Sequence, residues 1–228
     1  MRTDDINALL KRSTDDFDAL WENYKQCLHE QTVSADLKID IKNIAGNLRS
    51  VLDYIANDIR DSHCPSAKPN DRFYFPILPD VASFNSQCTK WYPALQNSCP
   101  DLWSYLESIQ PYHKNYEWLG NFNRLNNENK HESLVEQTRT ETKRINVKFE
   151  GGGVSWNPDA VKFGSGVRIG GVPVNPATQM PVPHSSQTVE VVTWVDFRFD
   201  GINVSALALL KNSLEGISEI AKCVRKWL

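Results

Sequence analysis

Arg124, Asn127, Glu128 and His131 are the residues of this chain whose types and spacing could do chemistry together. At about 100° per residue, Arg124 and His131 stand roughly 20° apart on one helical face, about 10 Å apart along the axis. Asn127 is three residues from Arg124 and four from His131, and Glu128 is four from Arg124, so on one helix the four share a stripe. A guanidinium offers paired donors to an oxyanion, and an imidazole titrates near neutral pH. Together they suit a common phosphate, reached by leaning inward or by meeting partners from a second subunit.

These residues stand in or next to Asn126-Asn127-Glu128-Asn129-Lys130-His131-Glu132-Ser133, a run without an apolar residue for about two turns. The periodicity predicts a helix from about Asn115 to Thr140. Trp118, Leu119, Phe122 and Leu125 form its apolar face before the run, and Leu134 and Val135 resume it afterwards. Two explanations stay open. The run lines a polar cleft or symmetric contact, or it marks a helix end in solvent or a break near Asn126-Asn127.

Other elements must hold this helix. Thr3 to about Gln31 reads as a first helix, with Ile6, Leu9, Leu10, Phe17, Leu20, Trp21, Tyr24 and Leu28 on one stripe. Ser34 to about Ser62 reads as a second, carrying Leu37, Ile41, Ile44, Leu48, Val51, Ile55 and Asp58/Ile59 in a 4-3-4-3 rhythm. The two should be antiparallel neighbours across Gln31–Val33. Phe73-Tyr74-Phe75-Pro76-Ile77 reads as an extended strip plugging the helical core. Two shorter helices follow, one carrying Val81, Phe84, Cys88 and Trp91, the other starting near Pro100 and stopped by Pro111. Beyond residue 142 the pattern alternates: Ile145, Val147 and Phe149, then Val189 to Phe199, are strands, with Gly151-Gly152-Gly153 a turn between. A last helix, about Val204 to Leu228, returns to the bundle. The fold class expected is mainly α: a bundle of about six helices, made of the helical segment 1–142 and a C-terminal helix over 203–228 that returns to it, with a β-hairpin or small-sheet insertion over 143–202.

The chain has 228 residues, 40% of them hydrophobic, enough for one large domain or one domain with an elaboration. Its net charge of −3 excludes a globally basic nucleic-acid binder, so any basic patch is local. No secretory signal and no run of about 18 apolar residues appears, so a cytoplasmic protein with no membrane contact is expected. Cys27, Cys64, Cys88, Cys99 and Cys223 are scattered and form no Cys-x-x-Cys pair, which argues against a disulfide framework or zinc site. No metal or cofactor is expected. Gly164-Ser165-Gly166 and Gly170-Gly171 lack the lysine and following helix of a phosphate loop. Arg49 and Asp53, four apart, read as an exposed ion pair. His29, His63, His113 and His184 are isolated and read as structural or solvated.

Arg124-(six residues)-His131, late in an all-α bundle, resembles the Arg-x(4–6)-His signature of the HEPN superfamily. Asn47 to Ala56, Phe75-Pro76-Ile77 and Leu125 to His131 together also resemble a group of bacterial proteins of unassigned activity. Membership implies a metal-independent endoribonuclease of the kind found in toxin–antitoxin and anti-phage defence systems, working as a homodimer. The resemblance implies that His131 moves protons between the ribose 2′-hydroxyl, the leaving 5′-oxygen and solvent. Arg124 would stabilise charge on the phosphate. Asn127 would hold phosphate or orient the imidazole, Glu128 would position Arg124, and Lys130 would add positive charge. RNA would be the substrate and DNA inert. The competing expectation is a non-catalytic scaffold that binds a partner chain, an antitoxin or sensor subunit, through the bundle and the β insertion.

Overall fold

A computed structural model describes residues 2–30, 35–68, 70–131, 137–158, 160–199 and 204–228, with the side chains of 25–30, 35, 128–143 and 192–199 outside the description. Among the described residues the chain is mainly α. Helices α1 (Thr3–Glu30), α2 (Ala35–His63), α3 (Val81–Trp91), α4 (Leu95–Ser98), α5 (Pro100–Ser108) and α6 (Glu117–His131) precede a run of short and long strands. Helix α7 (Ala206–Val224) and a 3₁₀ turn (Arg225–Trp227) end the chain. The chain divides into two units, Met1–Thr138 with Arg198–Leu228, and Arg139–Phe197.

Helix α2 is the axis of the first unit, and the sequence explains why. Leu37, Ile41, Ile44, Leu48, Val51, Ile55 and Ile59 keep one face, and each is buried. Ala45, Leu52 and Ala56 widen that face and are buried too. A helix apolar over so wide an arc must be covered on several sides, and α1, α6 and α7 all pack on it. Burying each of the large aliphatic side chains contributes about 1.5–3 kcal/mol. On α1 the pattern is less regular than its sequence suggests. Ser13 is fully buried between Ile6 and Leu20, whereas Trp21 is 43% exposed. Asp58 on α2 is buried, and the Arg2 main-chain N–H (2.9 and 3.1 Å) and guanidinium (2.9 Å) donate to it. A buried carboxylate needs such partners, and this one ties the start of α1 to the end of α2.

Between α2 and α3 the chain is extended without belonging to a sheet, so its backbone needs other partners. Side chains provide them. The Tyr92 hydroxyl donates to Tyr74 O at 2.7 Å. Gln110, fully buried, donates from Nε2 to Pro76 O (3.0 Å) and Leu106 O (2.6 Å) and accepts from Leu78 N–H at Oε1 (2.9 Å). Arg60 donates to Lys68 O at 2.9 Å and lies 4.1 Å from the centre of the Phe73 ring. These three clamps fix the strip Phe73–Leu78, and Phe75 seals the core beneath it at 1% exposed.

Tyr92 also sets a pH limit. Burial pushes its hydroxyl well above the ordinary tyrosine range near 10, so it stays neutral in the folded chain. The unfolded chain releases that proton near pH 10. Above that pH the unfolded state therefore binds fewer protons, and stability falls by about 1.4 kcal/mol per pH unit for this group. Urea midpoints measured from pH 8 to 11.5 should decline first as the unfolded chain's Cys64 and Cys88 thiols ionise and more steeply past 10, and Tyr92→Phe should reduce the steep part. A Tyr92→Phe profile as steep as the parent's would remove Tyr92 as its source.

Helix α6 departs from expectation. The periodicity predicts a helix as far as Thr140, but α6 ends at His131, and Gln137–Phe149 is strand β1. Thr138, Thr140 and Thr142 alternate with Arg139, Glu141 and Lys143, and β-branched residues at every second position favour an extended chain. Leu134 and Val135 lie outside the described residues. As far as His131 the polar run is helical and belongs to α6.

In the second unit, β1 pairs antiparallel with β2 (Gly152–Trp156), from Ile145 opposite Trp156 to Phe149 opposite Gly152. The turn is Glu150-Gly151, with Gly151 at φ 87°, so Gly152 and Gly153 belong to the strand and not to the expected three-glycine turn. Strand β6 (Gln187–Phe199) lies on the other side of β1. Strands β3 (Arg168–Ile169), β4 (Val172–Asn175) and β5 (Met180–Pro181) form a separate antiparallel sheet. Ile145, Val147, Trp156, Ile169 and Val174 are the small core of this unit. Gly170 turns at φ 52°, and a Cβ there would lie 2.5 Å from the Phe149 ring. In the first unit, Arg198 and Phe199 at the end of β6 pair with β7 (Val204–Ser205), which leads into α7.

Candidate functional site

Of the residues expected to do chemistry, Arg124 and Asn127 are exposed on α6. The helix backbone carries Glu128, Lys130 and His131 through its final turn, and their side chains lie outside the described residues. Asn126, from the same polar run, turns the other way: it is 6% exposed and donates from Nδ2 to Phe122 O at 3.0 Å. The run is therefore split between a buried carboxamide and an exposed face.

Asn127 opens into a cleft that the sequence did not reveal. Its floor is Arg49 of α2, its second carboxamide is Asn123, and its wall is Tyr74 and Trp91. The cleft has a volume of about 290 Å³. Arg49 and Asp53 do pair, Nε to Oδ1 at 3.2 Å, but Arg49 is not the exposed partner expected: its side chain is only 11% exposed against 42% for Asp53. The contact is poorly directed, because Arg49 Nε is buried without a well-formed hydrogen bond. Arg49 Nη1 donates to Asn123 Oδ1 at 3.1 Å. Of the five donors a guanidinium carries, this is the one used in a directed hydrogen bond among the described residues.

That bond also orients Asn123. With Oδ1 accepting from Arg49, its Nδ2 is left as a donor, so the floor offers N–H groups, with the Arg49 charge partly offset by Asp53. Asn127 is one turn further along the same face of α6. Tyr74 is 50% exposed, and its ring meets Trp91 edge to face at 5.8 Å. Edge-to-face contact fixes both rings while leaving a π face open. The clamps from Tyr92 to Tyr74 O and from Gln110 to Pro76 O and Leu78 N–H tie this wall to the residues that follow α3 and α5. Donors and a cation below, with flat rings beside, suit an anionic or oxygen-edged planar ligand.

Two of the other cavities fit this chemistry less well. A groove of about 650 Å³ between α6 and α7 is lined by exposed carboxylates and carboxamides around Trp118, whose indole lies where a Cβ on Gly216 would be, 2.2 Å away. No lysine or arginine lines it among the described residues. A cavity of about 340 Å³ beside Arg60 has a guanidinium, but that group already serves Lys68 O and the Phe73 ring.

The remaining histidines have local partners. His63 Nε2 meets Trp227 O at 2.7 Å, His113 Nε2 meets Glu107 at 2.9 Å, and His184 Nδ1 meets Ser186 Oγ at 2.7 Å. His29 lies among the side chains outside the description. Burial pushes the Cys64 thiol up to about 11 and that of Cys88 to about 12, so neither is a nucleophile at neutral pH. Among the described residues no group of three or more His, Cys, Asp or Glu could hold a metal ion, and no helix is long and apolar enough to cross a membrane.

Sequence reasoning missed Asn123, Tyr74 and Gln110, read Trp91 as a core or interface residue more than a stacking surface, and gave Arg49 the wrong setting. The four-residue spacing of Asn123 and Asn127 was a visible signal; the cross-helix meeting with Arg49 was not. No family model, no curated protein and no solved structure matches this chain.

Proposed function

We propose that this protein is a HEPN-like, metal-independent endoribonuclease whose site lies along the C-terminal half of α6. The observation that carries the reading is that Asn127, within the Arg124–His131 motif, lines a cleft with the largely covered cation Arg49, whose side chain is 11% exposed. A net-negative chain that handles a polyanion needs its positive charge concentrated, and a guanidinium shielded from water is worth more to a phosphate than one in bulk solvent. His131 would act as general base on the 2′-hydroxyl and general acid toward the leaving 5′-oxygen, with Arg124 stabilising the developing charge. Glu128 would orient Arg124, and Lys130 would add charge nearby. Because the attacking oxygen belongs to the substrate, the reaction needs no added nucleophile. The same reading makes the working unit a homodimer with a role in toxin or defence systems.

The purified chain should cleave single-stranded RNA in excess EDTA and leave the all-deoxy strand of the same sequence intact. Cleavage of both strands, or cleavage that EDTA abolishes, would count against the proposal. No cleavage by a folded, dimeric preparation would favour the scaffold that binds a partner chain.

A further inference from the structure

We infer that the Arg49–Asn127 cleft is a pocket for one unpaired nucleotide, so that the substrate is single-stranded and is cut next to a captured base. This deepens the endoribonuclease reading and rests on it for the word substrate. The pocket itself stands on its own geometry.

Four features support it. First, the cation is built in: Arg49 is held between Asp53 and Asn123 with its side chain 11% exposed, and among the described residues Asn123 Oδ1 is the one acceptor it meets in a directed hydrogen bond, so a ligand acceptor would offset its desolvation. Second, the floor is donor-rich. Arg49 and the Nδ2 of Asn123 both present N–H groups, which match phosphate oxygens and base carbonyls and would reject a cationic ligand. Third, the wall is aromatic and partly uncovered. Tyr74 keeps half its surface in solvent although the neighbouring Phe75 is buried, and Trp91 stands against it. A π face beside a cation is the arrangement on which single-stranded nucleic acids stack without regard to sequence. Fourth, the volume of about 290 Å³ is at the small end for ligand pockets, which suits one nucleotide and not a duplex. A duplex keeps its bases stacked inside, out of reach of Tyr74 and Trp91. Asn127 belongs to both the cleft and the α6 motif, which places the captured nucleotide beside the residues proposed to cut.

Calorimetric titration of the full chain with inorganic phosphate and with each of the four nucleoside 5′-monophosphates tests this. Nucleotides should bind about ten- to a hundredfold more tightly than phosphate, the difference being the stacked base. Tyr74→Ala removes an exposed ring without touching the core. It should cost nucleotides tenfold or more and leave phosphate unchanged, and Trp91→Ala should do the same. Arg49→Gln should weaken both ligands. Equal affinity for phosphate and nucleotides, no nucleotide binding at millimolar concentration, or nucleotide binding indifferent to both ring substitutions would overturn the pocket. The two readings separate cleanly. Nucleotide binding without RNA cleavage keeps the pocket and removes the nuclease. Cleavage of single-stranded RNA with unchanged KM in Tyr74→Ala and Trp91→Ala keeps the nuclease and removes the pocket.

Discussion

Replacing His131 by alanine is expected to slow RNA cleavage by about 10²–10⁴-fold, the usual contribution of a positioned proton-transfer group. The parent's rate should rise and then fall with pH as the free imidazole and the protonated leaving-group donor trade places, and His131→Ala should flatten that profile. Arg124→Ala should cost a similar factor through lost charge stabilisation. Arg124→Lys should restore little, because an ammonium cannot offer the paired, planar donors of a guanidinium. Neither change should disturb folding much: Arg124 is exposed, and His131 stands in the polar run of α6, away from its apolar face. Circular dichroism and urea midpoints for both variants should match the parent within about 0.5 kcal/mol. Cleavage that survives both substitutions would remove the reaction from α6.

The second large effect concerns stability. Gln110→Leu should lower the unfolding free energy by about 2–4 kcal/mol, because Leu78 N–H and Pro76 O lose partners that water cannot easily replace. For a chain of this size that corresponds to a fall in Tm of roughly 5–15 °C. The strip from Phe73 to Leu78 has no sheet to return to, so it should loosen before the bundle melts. Nucleotide affinity in Gln110→Leu should therefore drop at temperatures where far-ultraviolet circular dichroism is still native. A stability change inside about 0.5 kcal/mol would show that the Tyr92 and Arg60 clamps suffice.

The helical framework was largely legible in the sequence because each long helix carries its own period. The residues named for α2 are all buried, α1 begins at the expected Thr3, and α2 ends one residue past the expected Ser62. Helix α6 is shorter than its periodicity suggests, since a polar run followed by Leu134 and Val135 satisfies helical spacing as arithmetic, whereas the alternating threonines beyond it favour a strand. The cleft was hidden for a different reason. Arg49 and Asp53 obey the helical spacing of a surface pair, and nothing local says that α6 and the Phe73–Leu78 strip close over one partner and not the other. Gln110 was hidden likewise: a glutamine before a proline looks like a helix end, and two of its three hydrogen bonds, those to the strip, exist only after a chain reversal. Periodicity reports which face is covered; it does not report which polar side chains meet across elements.

The chemistry of the product ends tests the central claim most directly. Single-stranded RNA incubated with the protein in EDTA, with fragments weighed by mass spectrometry, should yield 5′-hydroxyl ends and 2′,3′-cyclic phosphates, because the 2′-oxygen attacks and the 5′-oxygen leaves. Fragments bearing 5′-phosphates and 3′-hydroxyls would mean that water attacked instead, and would contradict the mechanism assigned to Arg124 and His131.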